Sequence, residues 1–244
     1  MHPFFPPATA GETGDRDEIS VVNFELIEPF IEHQGERRTF WLGRPRAIGE
    51  KVLVARKGMR IPDSGKGRAI ITLDFKTAFG TGGHGTTEGC LLALEKFIRG
   101  GESVLDAGTG TGVLAIAAHK LGAGRVTAID IDGRACAETR KNLGLNGIDC
   151  GIDVIEGAVE TVEGRFDVIA ANLRTPILVE VMDPLTEKLN DRGIAVFSGI
   201  LEREVCSFLI FLERYPLDVL ELRRIHGWIT VAAEKRSATG GSIQ

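Results

Sequence analysis

The chain has 244 residues, of which 26% are charged and 43% hydrophobic, and a formal net charge of −5. This length allows one full domain with an appendage, and the composition is typical of a soluble globular protein. No apolar run reaches the length of a membrane span, and we expect no signal peptide because the start lacks a charged-then-apolar layout.

The first part of the chain is predicted to be an appendage. Residues 1–18 are rich in Pro, Gly, Thr and acids, which is typical of disorder. Residues 19–72 are expected to form a short N-terminal extension, in which Lys51–Arg56 and Arg68–Asp74 are predicted strands on either side of a Gly/Pro/Ser loop. The small polar tail 236–244 is again expected to be disordered.

The segment 73–235 is predicted to be one α/β domain. A glycine-rich loop leads into a helix from Glu88 to Ile98, which Thr86 or Thr87 would cap. After this helix, strand and helix patterns alternate, which indicates a doubly wound, mostly parallel sheet. The last two strands flank a His-Gly turn, so one antiparallel C-terminal strand should close the sheet. Strands are expected at 103–107, 126–130, 152–155, 166–171, 193–198, 217–224 and 228–234, and helices at 112–121, 133–146, 176–190 and 201–213.

Lysines and arginines concentrate in the segment 37–68. It holds ten Lys or Arg and two acids, a local balance of +8, which leaves −13 for the remainder. Such a segment can contact RNA or an acidic protein face. It can also be a pair of solvated edge strands, since Lys and Arg protect sheet edges from aggregation. We favour the edge strands and keep RNA contact as the alternative.

The four cysteines are scattered without a C-x-x-C pair. This spacing argues against a metal site and a disulfide framework, and we expect a reducing compartment, the cytoplasm. Three of the four stand in apolar surroundings, which favours core positions over nucleophiles. The four cysteines are Cys90, Cys136, Cys150 and Cys206.

A glycine turn between a strand and a helix is the strongest motif. Asp106-Ala-Gly-Thr-Gly-Thr-Gly follows an apolar strand and opens a helix. Such a turn lets the backbone approach a ligand closely and points a helix N-terminus at it. The next strand ends in Asp130, where a Rossmann-like site binds ribose hydroxyls. The unit predicts an adenosine-type cofactor; the alternatives are an ordinary tight turn and, for Asp130, a helix cap.

The spacing indicates S-adenosylmethionine as that cofactor. A dinucleotide site has G-x-G-x-x-G, whereas Val113 stands in the place of the third glycine. Asp106 at the mouth of the turn would repel a pyrophosphate but suits an ammonium and a sulfonium. The predicted cofactor contacts are Asp106, Gly108, Gly110, Gly112 and Asp130, together with the backbone of Ala158 at the adenine.

Several motifs resemble those of one family. Ala78-Phe-Gly-Thr-Gly-Gly-His-Gly-Thr-Thr resembles the A-F-G-T-G-x-H-x-T-T signature of the PrmA-type ribosomal-protein methyltransferases. Three further segments are similar to motifs of that family: the glycine turn, Asp167-Val-Ile-Ala-Ala-Asn-Leu and Ser198-Gly-Ile-Leu. The resemblance covers roughly 70–235. It implies a seven-stranded class I methyltransferase fold and S-adenosylmethionine as the cofactor. The implied acceptor is an amino group of ribosomal protein L11, on a lysine or at the N-terminus.

The resemblance also implies roles for residues of the glycine-rich signature. Phe79 and Gly80 would contact the cofactor, and the loop would cover it. Thr86 would bond to the cofactor or to the target amine. His84 is either a general base or a residue that fixes the loop through a backbone bond.

Asn172 ends a predicted strand at the carboxyl edge of the sheet, where ligands of open α/β sheets bind. In amino-group methyltransferases of this fold, a polar residue there accepts hydrogen bonds from the target nitrogen. We therefore expect Asn172 to orient the amine and to contact the cofactor; the alternative is an Asn that ends a strand in a turn. His226 and Trp228 in the last hairpin are expected to be structural.

Three other functions stay open. The family's N-terminal substrate domain is not expected here, because only 77 residues precede Ala78. A nucleic-acid N-methyltransferase would use the basic segment 37–68, and a small-molecule amine methyltransferase would need no substrate domain. A non-catalytic ribosome-binding module is the alternative from another class.

Overall fold

The structure, a computed structural model, describes residues 31–32, 44–74 and 83–237. The predicted tail 1–18, residues 238–244 and the predicted site residues Phe79 and Gly80 lie outside these ranges. The strands are β1 (Ile31–Glu32), β2 (Arg46–Ile48), β3 (Val52–Arg56), β4 (Ala69–Leu73), β5 (Ser103–Ala107), β6 (Arg125–Asp130), β7 (Ile152–Glu156), β8 (Phe166–Asn172), β9 (Leu189–Leu201), β10 (Leu217–Ile225) and β11 (Trp228–Lys235). The α-helices are α1 (Gly85–Phe97), α2 (Val113–Lys120), α3 (Gly133–Leu145), α4 (Thr175–Glu180), α5 (Met182–Lys188) and α6 (Val205–Leu212).

The larger of two sheets has the strand order β1-β10-β11-β9-β8-β5-β6-β7. β11 is antiparallel to both of its neighbours, β9 and β10, and every other pairing in this sheet is parallel. Apart from the two-residue β1, the sheet has seven strands, and its one antiparallel strand is the last in the described chain. The structure therefore confirms the predicted class I methyltransferase fold.

Helices cover both faces of this sheet. Alternate residues of a strand point to opposite faces. Val104 and Ala170 belong to a core shared with α1, α2 and α3, whereas Leu105 and Ile169 belong to a core shared with α4, α5 and α6. Burial on both faces explains why the parallel strands are nearly continuous apolar runs. None of the described helices is long and apolar enough to cross a membrane.

The smaller sheet, in the order β2-β3-β4, packs on the core of α1 and α2. Val52, Val54, Ile71 and Leu73 are completely buried there. The two strands predicted in this segment are present, but the expectation of solvated edge strands is wrong for β3. Its run from Val52 to Ala55 is buried throughout, because β2 and β4 flank this strand on both sides.

Polar contacts fasten the smaller sheet to the helices. The carboxylate of Glu95 on α1 accepts hydrogen bonds from the backbone N–H groups of Glu50 (2.8 Å) and Lys51 (3.0 Å). Asn146, directly after α3, accepts from the N–H of Thr72 (2.9 Å) and donates to its carbonyl (2.7 Å). Side chains on α1 and directly after α3 thus satisfy backbone groups of the smaller sheet, in the turn before β3 and in β4.

An ion pair joins β2 to the start of α1. Arg46 pairs with Glu88 and also donates to the carbonyl of Gly83 (3.1 Å). The side chain of Glu88 is only 6% exposed, so the guanidinium compensates a carboxylate that has lost most of its hydration. The contact fixes the residues directly before α1 against the smaller sheet.

The helix predicted at 176–190 is divided into α4 and α5. Pro184 has no N–H to donate to the carbonyl of Glu180, four residues earlier, and its ring collides with that carbonyl. The chain therefore leaves the helical path at Val181, between the two helices.

β9 is longer than the predicted strand 193–198. It begins at Leu189, and its pairing with β8 shifts register by several residues before Ile194 pairs with Val168. It ends at Leu201, so the next helix begins late, with a 3₁₀ turn at Glu202–Glu204 before α6.

Only two of the four cysteines are core residues. Cys90 and Cys136 are buried, whereas Cys150 and Cys206 are exposed. The expectation of three core cysteines is therefore wrong. Cys206 lies on α6 one turn before Ile210, which is 63% exposed, so this face of an apolar helix turns to solvent.

The ion pair of Arg46 gives a stability prediction. Arg46→Met should lower the free energy of unfolding by about 2 kcal/mol, because the buried carboxylate of Glu88 loses a charged hydrogen-bond donor. Arg125→Met is the control: Arg125 pairs with Asp153 at the surface, with exposed side-chain fractions of 72% and 58%, and should cost less than about 1 kcal/mol. Urea unfolding of both variants measures the difference. Equal losses would show that burial of Glu88 does not decide the effect.

Candidate functional site

A cavity of about 1010 Å³ opens at the carboxyl ends of β5, β6, β7, β8 and β9. Its size is at the upper end for small-molecule sites. The structure brings most of the predicted site residues to its wall: His84, Thr86, Gly108, Gly110, Asp130, Ala158 and Asn172. Asp106 and Gly112 are not among the described residues that line it.

The glycine turn is held by the strand beside it. The N–H groups of Gly108 and Thr109 both donate to the carbonyl of Ile129 on β6, at 2.9 and 3.0 Å. Gly108 has a φ of +77°, and a Cβ there would lie 2.5 Å from Cδ2 of Leu173. The positive φ favours glycine at this position, and a Cβ there would also require the Leu173 side chain to move.

Asp106 lies behind the turn and not at its mouth. Its side chain is buried, and Oδ2 accepts hydrogen bonds from Thr109 Oγ1 (2.7 Å) and from the N–H of Ala115 (3.0 Å). Oδ1 has no hydrogen-bond partner among the described residues. Burial raises the pKa of this carboxyl group to about 6. The carboxylate therefore ties the turn to the first turn of α2, and a cofactor contact stays a prediction.

Gly112 faces α3 and not the cavity. It precedes α2 with a φ of +80°, and a Cβ there would lie 2.8 Å from Cγ2 of Thr139. The positive φ favours glycine at this position, and a Cβ there would press on the Thr139 side chain of α3. A contact between Gly112 and the cofactor stays a prediction.

Asp130 lies at the end of β6 on the cavity wall. Its Oδ2 accepts from the N–H of Gly110 (3.0 Å), and its Oδ1 accepts from the N–H of Asp132 (3.0 Å). Each carboxylate oxygen can accept a further hydrogen bond, so Asp130 is held in place and is able to bind hydroxyl groups. The cap of α3 is Asp132, which accepts from the N–H of Arg134 (2.9 Å).

His84, and neither of the threonines predicted for this role, caps α1. Its Nδ1 accepts from the N–H of Thr86 (3.4 Å) and lies 2.8 Å from Thr86 Oγ1. The prediction of a threonine cap is wrong because the helix begins one residue earlier than Thr86, at Gly85, and an imidazole nitrogen can take the place of a capping oxygen. The ring of Trp228 lies 4.8 Å from the His84 ring, centroid to centroid.

Burial and the charge of His226 lower the pKa of His84. The imidazole is therefore neutral at pH 7 and able to accept a proton. Because Nδ1 contacts Thr86, proton transfer to a group in the cavity would have to use Nε2.

Asn172 at the end of β8 donates from Nδ2 to Oγ1 of Thr87 (3.4 Å). No hydrogen bond to Asn172 Oδ1 occurs within the described ranges. Asn172 also pairs in register with Ser198, whose hydroxyl donates to the carbonyl of Thr86 (3.2 Å). The ends of β8 and β9 and the start of α1, which carry three separate sequence motifs, therefore meet at this cavity.

The sequence interpretation missed three residues of the site. Thr87 contacts Asn172, Trp228 lines the cavity beside His84, and Gly199 lines it beside Leu173. A Cβ at Gly199 would collide with the Leu173 carbonyl. Thr87 and Gly199 belong to motifs that the sequence displayed, whereas nothing local distinguishes Trp228 from a core residue.

The strand order and the cavity at the carboxyl ends of the strands define the class of this protein, a class I methyltransferase fold. Residues 35–236 match the family described as Ribosomal protein L11 methyltransferase (PrmA). The chain belongs to this family.

Relatives of known sequence and structure agree with this assignment. Proteins named ribosomal protein L11 methyltransferase from Caldicellulosiruptor saccharolyticus and Pelotomaculum thermopropionicum are 38% and 39% identical over 79% and 70% of this chain. The chain spans 63% and 56% of their lengths, less than two thirds. The crystal structure of a ribosomal protein L11 methylase from Lactobacillus delbrueckii subsp. bulgaricus superposes with a TM-score of 0.74 and 31% identity, over 79% of this chain and 99% of that one.

The raised pKa of Asp106 predicts how stability changes with pH. The native carboxyl group, with a pKa of about 6, binds its proton more tightly than in the unfolded chain, where the pKa is about 3.9. The contribution of Asp106 to stability should therefore fall as the pH rises through this window, by about 2 kcal/mol between roughly pH 4 and pH 6. Asp106→Asn keeps an acceptor for Thr109 and Ala115 and should remove this contribution, so that stability rises more steeply with pH in the variant than in the parent chain. Melting temperatures across the window measure both slopes, and an unchanged slope in the variant would contradict the assignment.

Proposed function

We propose that the chain is an S-adenosylmethionine-dependent N-methyltransferase that acts on amino groups of ribosomal protein L11, on lysines or the N-terminal amine. The observation that carries the proposal is that Asn172, the glycine turn and Asp130 share one cavity. The names of the relatives support the same acceptor. The proposed catalytic domain is 73–235, and a ribosomal-protein acceptor implies a cytoplasmic enzyme.

The residues of the cavity fit the proposed cofactor. Asp130 would hold the ribose hydroxyls, Gly108 and Gly110 the methionine end, and the backbone of Ala158 the adenine. The absence of side chains at both glycines lets a ligand contact the backbone of the turn. When bound, S-adenosylmethionine would supply an electrophilic methyl group for direct transfer to nitrogen.

Asn172 would act by orientation. With its amide nitrogen donating to Thr87, its amide oxygen is available for an N–H group of the acceptor. An amide oxygen is too weakly basic to take the proton. A lysine with a reference pKa of about 10.4 must lose its proton before attack, and the neutral His84 on the cavity wall is the proposed proton acceptor. Thr86 would bond to the cofactor or to the amine.

RNA as a partner of the basic segment 37–68 has less support. In the described part of that segment, Arg46 pairs with Glu88, and Arg68 donates to the carbonyls of Gly49 (2.8 Å) and Val52 (3.2 Å). These two arginines have structural contacts within the chain, which lowers the number of cations in the segment that are available for phosphates.

The cofactor assignment gives a binding prediction. Asp130→Ala should weaken S-adenosylmethionine binding by roughly 1.5–3 kcal/mol, the range for hydrogen bonds to a charged group. Asp153→Ala is the control: Asp153 lies outside the cavity lining and pairs with Arg125 at the surface, so the dissociation constant should not change. Calorimetry measures both, and NADH should bind neither the parent chain nor the variants. Unchanged affinity in Asp130→Ala would refute the assignment.

The proposed role of Asn172 gives a kinetic prediction. Asn172→Ala should lower kcat about 100-fold, the effect of a misplaced reactant, and leave the cofactor dissociation constant within a few-fold. No new pH dependence should arise, because no ionising group is removed. The assay follows labelled methyl transfer from S-adenosylmethionine to purified ribosomal protein L11, with RNA and free amines as competing acceptors.

His84→Ala is the comparison for that assay. A general base contributes about 10²–10⁴-fold, so a loss of this size together with a flattened pH profile would transfer the catalytic role to His84. Normal turnover in Asn172→Ala would exclude the orienting role. Methylation of RNA or of free amines alone would replace the proposed acceptor.

A further inference from the structure

We propose that Asn142 on α3 is a positioning residue that holds the glycine turn in shape for the cofactor and links this turn to the end of β4. The inference rests on the proposed function, because S-adenosylmethionine is the ligand whose affinity reports on the turn. Asn142 does not line the cavity, so it acts on the site only through its contacts.

Two buried side chains of α3 bind successive carbonyl groups of the turn. Thr139 Oγ1 donates to the carbonyl of Gly110 (3.0 Å), and Asn142 Nδ2 donates to the carbonyl of Thr111 (2.8 Å). Both side chains are completely buried, where a lost hydrogen bond costs the most. Because a peptide group is planar, each bond fixes the orientation of one peptide unit in the turn.

The other end of the Asn142 amide reaches the smaller sheet. Its Oδ1 accepts from the N–H of Asp74 (2.9 Å), the residue directly after β4. One rigid amide group therefore spans the distance between Thr111 and Asp74. If Asp74 or Thr111 moves and Asn142 follows it, the hydrogen bond from Asn142 to the other residue breaks. The position of β4 and the shape of the turn are therefore coupled.

Asn146 provides a matched control. It follows Asn142 by one helical turn and makes a similar amide contact with β4, because Oδ1 accepts from the N–H of Thr72 (2.9 Å) and Nδ2 donates to the Thr72 carbonyl (2.7 Å). It has no hydrogen bond to the glycine turn among the described residues. Both asparagines thus contact the smaller sheet, and Asn146 Nδ2 also donates to the Asn142 carbonyl (2.8 Å), but only the Asn142 side chain reaches the turn.

The test compares Asn142→Ala with Asn146→Ala. Both variants should lower the urea midpoint of unfolding, since both lose contacts with β4. Only Asn142→Ala should raise the dissociation constant for S-adenosylmethionine, by about tenfold, which corresponds to about 1.4 kcal/mol. A change below twofold, or an equal change in Asn146→Ala, would overturn the proposal. A parent chain that binds no S-adenosylmethionine would instead overturn the proposed function.

A second measurement needs no variant. In the parent chain, S-adenosylmethionine should slow hydrogen exchange of the Asp74 amide several-fold, because binding fixes the turn and hence its partner Asn142. The Thr72 amide, which Asn146 binds, should be unaffected. Equal protection of both amides, or of neither, would refute the coupling.

Discussion

The site depends on one backbone contact, the acceptance of two N–H groups by the carbonyl of Ile129. This contact directs the chain from β5 into a tight turn at Gly108 and Thr109 and on into α2. It also places the turn beside Asp130, the residue after Ile129, whose carboxylate then accepts from the turn. Because the strands are parallel, β7, β8 and β9 end at the same edge and complete the cavity around this turn.

The sequence was sufficient for the features that depend on neighbours along the chain. Each of three features stands at the carboxyl end of an apolar strand: the glycine turn after β5, the acid that ends β6 and the Asn that ends β8. Parallel neighbouring strands bring these ends to the same edge of the sheet. Apolar periodicity likewise predicted the larger sheet with its antiparallel last strand. Seven of the predicted site residues therefore line one cavity, although the sequence had given no distances between them.

The features that the sequence did not predict depend on distant contacts. Asn172 and Thr87 are 85 residues apart, and Arg46 and Glu88 are 42 apart, so no local pattern relates them. Asp106 was assigned to the mouth of the turn from its charge, but the carboxylate turns inward because the N–H of Ala115 needs an acceptor. The interruption at Val181 has a local cause, Pro184, that periodicity alone overlooks.

The strand order also fixes the sequence of events during synthesis of the chain. β5, an inner strand of the sheet, cannot gain its second neighbour until β8 is made, since Val104 pairs with Val168. β11 then fits between β9 and β10, so β9 keeps an unpaired edge until the ribosome has delivered residues up to Lys235. An apolar strand with an open edge invites pairing with other chains. The edge of β9 therefore stays open to pairing with other chains until the last strand has been made.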